Sequence, residues 1–66
     1  MLKNNLSKIM GEQRIKIYEL EKLSGISRST ITRLYYGKTH TISFNTLEGL
    51  CKALNCKTSD ILEYLP

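Results

Sequence analysis

The 66 residues predict an all-α fold, one compact bundle of five short helices. Three observations lead there. Apolar residues recur at the offsets of a helix face rather than in alternation. Serine, glycine and asparagine stand where helices would start and stop. Strand signals are weak: "HTISF" (40–44) alternates only briefly, and no partner run exists elsewhere for it to pair with. A chain this short buries barely enough apolar surface to fold alone, so every helix must serve one core, and a single domain over residues 1–66 is expected.

The elements follow in order. Leu2, Leu6, Ile9 and Met10 form one stripe of a first helix over about residues 2–13. "RIK" (14–16) breaks it. Ile17, Leu20 and Leu23 start a second stripe that ends at Gly25, suited to the left-handed position just past a helix. Ile26 is an apolar plug, and Ser27 is a good N-cap for a third helix from about Arg28 to Tyr36, stopped by Gly37. "KTHTI" (38–42) reads as loop. Ser43 caps a fourth helix with Leu47, Leu50, Cys51 and Leu54 on one face, and Asn55 can take the closing left-handed position. Phe44, beside Ile42, is expected in the core. Thr58 or Ser59 can cap a short fifth helix carrying Ile61 and Leu62. Of Tyr35 and Tyr36, one should pack and the other stay exposed.

Composition narrows the function. No apolar run approaches the roughly 18 residues that span a bilayer, and the N-terminus lacks an apolar stretch followed by a small-residue cleavage site. A soluble cytoplasmic protein is expected. Cys51 and Cys56 with His40 cannot assemble four zinc ligands, and Cys51 falls where the stripe wants a small hydrophobe. No cofactor is expected. An enzyme is disfavoured, since there is no nucleophile–base–acid set and no phosphate-cradling glycine loop. Net charge is +4, and the excess is local. Arg14, Lys16, Lys22, Arg28, Arg33 and Lys38 face only Glu19 and Glu21 within one stretch. That surplus favours a polyanion, nucleic acid first.

The stretch "SGISRSTITRLYYGK" (24–38) carries the most information. Two short helices, the second opening about three residues after a glycine-centred turn, make a helix-turn-helix pattern over about residues 17–36. In such a unit the second helix lies in the DNA major groove. Its inner face needs Ile31 and Leu34 as anchors. Its outer face must be small and hydrogen-bonding, or long-armed, to reach base edges, and Arg28, Ser29, Thr30, Thr32 and Arg33 are that face. Ser29 and Thr30 are poor choices for helix stability alone.

"LEKLSGISRSTITRLYYGK" (20–38) resembles the core motif of the XRE family, the Cro and phage-repressor, lambda-repressor-like helix-turn-helix proteins. The matching features are Leu20, Gly25, Ile26, Ser27, Arg28, Ser29, Thr30, Ile31 and Gly37–Lys38. "ISFNTLEGLCKALNCKTSDIL" (42–62) is similar to the family's fourth and fifth helices, so the likeness covers essentially the whole chain. The resemblance implies base reading by Arg28, Ser29, Thr30 and Arg33. It implies phosphate contacts from Lys16, Ser27, Lys38, Thr39 and Asn45, with His40 and Phe44 along the backbone. Two positions depart from the pattern. Ile17 stands where the family often has a glutamine that donates to phosphate. Glu21 stands where it often has alanine, and its carboxylate must reach solvent or pair with a base such as Arg28.

The function expected from these residues is a sequence-specific regulator of transcription on double-stranded DNA, a repressor or autoregulator. It should act as a homodimer on an inverted repeat, formed through the fifth helix and "EYLP" (63–66), with Tyr64 and Leu65 at the contact. The alternative is a protein-interaction module on the same fold, antitoxin-like or polymerase-binding.

Overall fold

The computed structural model describes the whole chain, Met1–Pro66, as five helices with a small two-stranded ribbon. The elements are β1 (Leu2–Asn4), α1 (Leu6–Gln13), α2 (Ile17–Ser24), α3 (Arg28–Tyr35), α4 (Phe44–Leu54), α5 (Thr58–Ile61) and β2 (Leu62–Tyr64). The five-helix class expected from the periodicity is present, and α2 and α3 are joined by the short turn at residues 25–27.

Each helix boundary has a local cause. Arg14, inside the "RIK" break, takes the left-handed conformation (φ 57°) that closes α1, and the Ile15 amide reaches back to the Met10 carbonyl at 2.9 Å. The Glu19 carboxylate accepts the Lys16 amide at 2.9 Å and so opens α2. Gly25 closes α2 at φ 74°. Ser27 and Ser43 cap α3 and α4 as the sequence predicts, accepting the amides of Thr30 and Thr46 at 3.3 and 3.1 Å. Asn55 closes α4 in the left-handed region (φ 52°).

One core of nine buried residues sits among the helices: Leu6, Ile9, Met10, Leu20, Ile31, Leu34, Leu50, Leu54 and Ile61. No polar or charged residue is buried with them. α4 lies close over the turn between α2 and α3. A Cβ on Gly49 would stand 3.1 Å from the Ile26 side chain, so glycine permits that approach. The Gln13 amide donates to the Leu54 carbonyl at 2.7 Å and ties the end of α1 to the end of α4.

Several sequence expectations are corrected. The first helix starts at Leu6, not Leu2. Leu2 belongs to β1, which pairs antiparallel with β2 in the register Leu2–Tyr64, Lys3–Glu63 and Asn4–Leu62. Its partner lies at the other end of the chain, and the briefly alternating "HTISF" (40–44) forms no strand. Leu62 is therefore in strand rather than in the fifth helix. Met1 and Leu65 exchange both backbone hydrogen bonds at 2.7 Å. By antiparallel alternation, Leu2 and Tyr64 then form the close, non-hydrogen-bonded pair, with their own backbone groups turned outward. The α5 cap is neither Thr58 nor Ser59: the Asp60 carboxylate accepts the Lys57 amide at 2.8 Å. Phe44 is not in the core but 89% exposed, because the first residue of α4 projects away from the Leu50–Leu54 face. Leu23 is 62% exposed, as α2 turns Leu20 rather than its last turn inward.

Of the tyrosines, Tyr35 is half-buried and Tyr36 exposed, their rings edge to face at 4.9 Å. Both cysteines are free and half-buried against the core. Burial, and next the neighbouring Cys51 and Asp60, push the Cys56 thiol up to about 11. It stays protonated at neutral pH and is a poor nucleophile or metal ligand there.

Candidate nucleic-acid interface

α3 owes its orientation to two side chains. Ile31 and Leu34 are buried in the core, which holds the helix against α2 with its opposite face in solvent. A third tie comes from the ribbon: the Asn4 side-chain amide donates to the Leu34 carbonyl at 2.8 Å, which also accepts the Gly37 amide at 3.2 Å at the end of α3.

The outward face has four named groups in different states. The Arg28 guanidinium pairs with Glu21, Nη2 to Oε1 at 2.9 Å and Nε to Oε1 at 3.1 Å. The other Glu21 oxygen accepts the Arg28 backbone amide at 3.2 Å. The departure at Glu21 thus has a structural use, fixing the start of α3. Ser29 is exposed, 3.4 Å from the Ser27 hydroxyl. Ser27 donates its own hydroxyl proton to Thr30 Oγ1 at 2.8 Å, leaving the Thr30 proton free. Arg33 is exposed and in no ion pair, the Arg28–Glu21 pair being the sole one in the chain.

Thr32, read from the sequence as part of the outward face, donates its hydroxyl to the Arg28 carbonyl at 2.7 Å and is half-buried.

Two open clefts flank α3. One, of about 200 Å³, is lined by Thr30 and Arg33 together with Thr39, Thr41, Ser43 and Thr46. It brings the loop after α3 and the first turn of α4 beside Thr30 and Arg33. Within that loop the Thr39 hydroxyl both accepts from the Thr41 amide and donates to the Thr41 carbonyl, each at 3.3 Å. The other cleft, of about 460 Å³, is lined by Lys16 and Arg28 with Tyr18, Thr32, Tyr35 and Tyr36. Ile17 lines it too, half-buried and unable to donate. Lys38, His40 and Asn45 are exposed on the segments that follow α3.

Sequence reading missed Tyr18, Thr41 and Thr46 as neighbours of this surface. The available signal was an aromatic two residues after Lys16 and the threonines on either side of the capping Ser43. Tyr64 and Leu65 lie apart, on the ribbon. No three His, Cys, Asp or Glu side chains come together to hold a metal ion.

Comparison with known proteins agrees with this arrangement. The description "Cro/C1-type HTH DNA-binding domain" matches residues 5–66. The chain is 37% identical over 60 residues to YozG of Bacillus subtilis, described as an uncharacterised HTH-type transcriptional regulator; the match covers 91% of this chain and 71% of that protein. No helix here is long and apolar enough to cross a membrane. With its buried Ile31–Leu34 anchor, its serine-capped α3 and a match running almost from end to end, the chain belongs to the Cro/C1-type helix-turn-helix DNA-binding family.

Proposed function

We propose that residues 1–66 act as one cytoplasmic DNA-binding domain that regulates transcription, most simply by repression, occupying an operator as a homodimer. The observation that carries this reading is α3 itself, anchored by two buried apolar residues and turning an unpaired arginine and small hydroxyls to solvent within the basic part of the chain. In the major groove Arg33 reads a purine edge, with Ser29 and Thr30 at neighbouring positions. Arg28 contributes through the donors that Glu21 leaves free. Lys16, Lys38, Thr39, Asn45 and the Ser27 amide hold the phosphate backbone and set the register.

The ribbon supports the dimer. Leu2 and Tyr64 are 71% and 70% exposed and stand opposite each other, forming an apolar pair in solvent. The outward backbone groups of Tyr64 leave the outer edge of β2 open to a second copy. The Leu65 backbone is already used by Met1, so the contact belongs to Tyr64 and Leu2 more than to Leu65.

The test is selection of bound duplexes from a random pool at physiological salt. We expect an inverted repeat with half-sites about one helical turn, roughly 34 Å, apart. Retention of all sequences alike, lost steeply with salt, would replace specific regulation by non-specific binding. Failure to retain any duplex would leave protein interaction as the role of this fold.

A further inference from the structure

We propose that Cys51 and Cys56 are a reversible modification site, closing to an internal disulfide when a peroxide oxidises them. The inference does not depend on what α3 binds. On a continuous helix two residues five positions apart point in different directions, but α4 ends between these two. Asn55 turns the chain in the left-handed region (φ 52°), and the Cys56 amide donates back to the Cys51 carbonyl at 3.0 Å. In this helix-closing turn the residue after the left-handed position packs on the side chain that stands one turn back. That contact is ordinarily made by two hydrophobic residues, and here both members carry a thiol. The Cys51 side chain hydrogen-bonds with the Cys56 thiol. A backbone bond and a side-chain contact between the same two residues leave little movement for a disulfide to require.

The pair is also within reach of solvent. Both cysteines are half-buried rather than sealed in the core, and Cys56 lines an open cleft of about 270 Å³ with Lys8, Gln13 and Asp60. The Cys51 sulfur, as thiolate, attacks one oxygen of hydrogen peroxide. The O–O bond breaks, and the departing hydroxide takes up the proton that Cys51 released, leaving a sulfenic acid on Cys51 and one water. The Cys56 sulfur then attacks the Cys51 sulfur. The S–O bond breaks, and the oxygen leaves with the Cys56 proton as a second water. The two thiols lose two electrons, and the peroxide gains them. A dithiol reductant opens the bond again by exchange. Internal closure consumes the thiols that would otherwise join two copies of the chain or oxidise further to irreversible acids.

The experiment exposes reduced wild type to hydrogen peroxide, blocks the remaining thiols with iodoacetamide in denaturant and digests with trypsin. Cleavage after Lys38, Lys52 and Lys57 puts the two cysteines in different peptides, 39–52 and 53–57. We expect these peptides as one species, two hydrogens lighter than their sum, from monomeric protein, and separated by dithiothreitol. In the folded protein internal closure should exceed joined copies and sulfinic acid together by about tenfold, and unfolding in guanidinium should remove most of that excess, because the turn sets the pair in place. Cys51→Ser and Cys56→Ser, each with one thiol left, should give joined copies and sulfinic acid instead. Thiols that both stay open to iodoacetamide after peroxide would overturn the proposal. So would joined copies or sulfinic acid as the main product of wild type, or an excess of closure that guanidinium leaves unchanged.

Discussion

Glu21 holds Arg28 twice. Its Oε1 takes the guanidinium at 2.9 and 3.1 Å, and its Oε2 takes the Arg28 backbone amide at 3.2 Å. One carboxylate on α2 thus restrains both the start of α3 and its first long side chain. It also sets a negative charge on a face read here as meeting phosphates. Replacement by glutamine should release the guanidinium and remove that charge. We expect Glu21→Gln to bind DNA more tightly, with the log–log salt slope steeper by about 0.9, the value of one further phosphate neutralised. The stability cost should stay below about 1 kcal/mol, because the pair is solvent-exposed. An unchanged slope would make Arg28 a partner of Glu21 alone.

Arg33 and Lys38 should separate base reading from backbone holding. Arg33→Ala should cost about 1–3 kcal/mol on the preferred site and relax one base position. Lys38→Ala should weaken every duplex by a similar factor and reduce the salt slope by about one phosphate. Titration of both variants against the operator and a scrambled duplex checks this. Equal losses from both on all sequences would remove Arg33 from the base readers.

Asn4 joins three elements with one side chain. Its oxygen accepts the Leu6 amide at 2.9 Å at the start of α1, and its amide donates to the Leu34 carbonyl at 2.8 Å at the end of α3. Asn4→Ala should lower unfolding free energy by about 1–2 kcal/mol, the sum of a lost helix-start bond and a lost bond between the ribbon and α3. Gly11, within α1 with open space where a Cβ would stand, should respond in the opposite sense. Gly11→Ala should add about 0.5–1 kcal/mol. Denaturant melts of the two variants against wild type decide both signs.

Cys56 gives the fold an alkaline limit. Burial and its neighbours push its thiol up from 9.0 to about 11. The folded state therefore keeps the proton more tightly than the unfolded chain. The stability this contributes is complete below pH 9.0 and is lost as pH rises towards about 11. Melting temperatures followed across that window should fall in wild type and fall less in Cys56→Ala. Parallel curves would assign the alkaline loss to other groups.

The five helices, the serine caps at Ser27 and Ser43, and the closures at Gly25 and Asn55 were all legible in the sequence. Each depends on residues within a few positions of one another, where periodicity and capping chemistry act directly. The hydroxyl-rich outer face of α3 was legible for the same reason, since Ile31 and Leu34 determine which side turns inward. The ribbon was not. Leu2 and Tyr64 meet only because the folded helices bring the two ends of the chain together, and three residues per strand carry no pattern of their own. The exposure of Phe44 was equally out of reach, because an apolar residue next to Ile42 reads as core until α4 is docked through Leu50 and Leu54. The Glu21–Arg28 pair was foreseen as one option, and the packing of α2 against α3 brings it about. Sequence by itself determined the local elements and which residues line the outward side of α3. Only tertiary packing decided which termini pair, which apolar side chains stay in water and which charges are held, since those outcomes depend on distances between residues far apart in the chain.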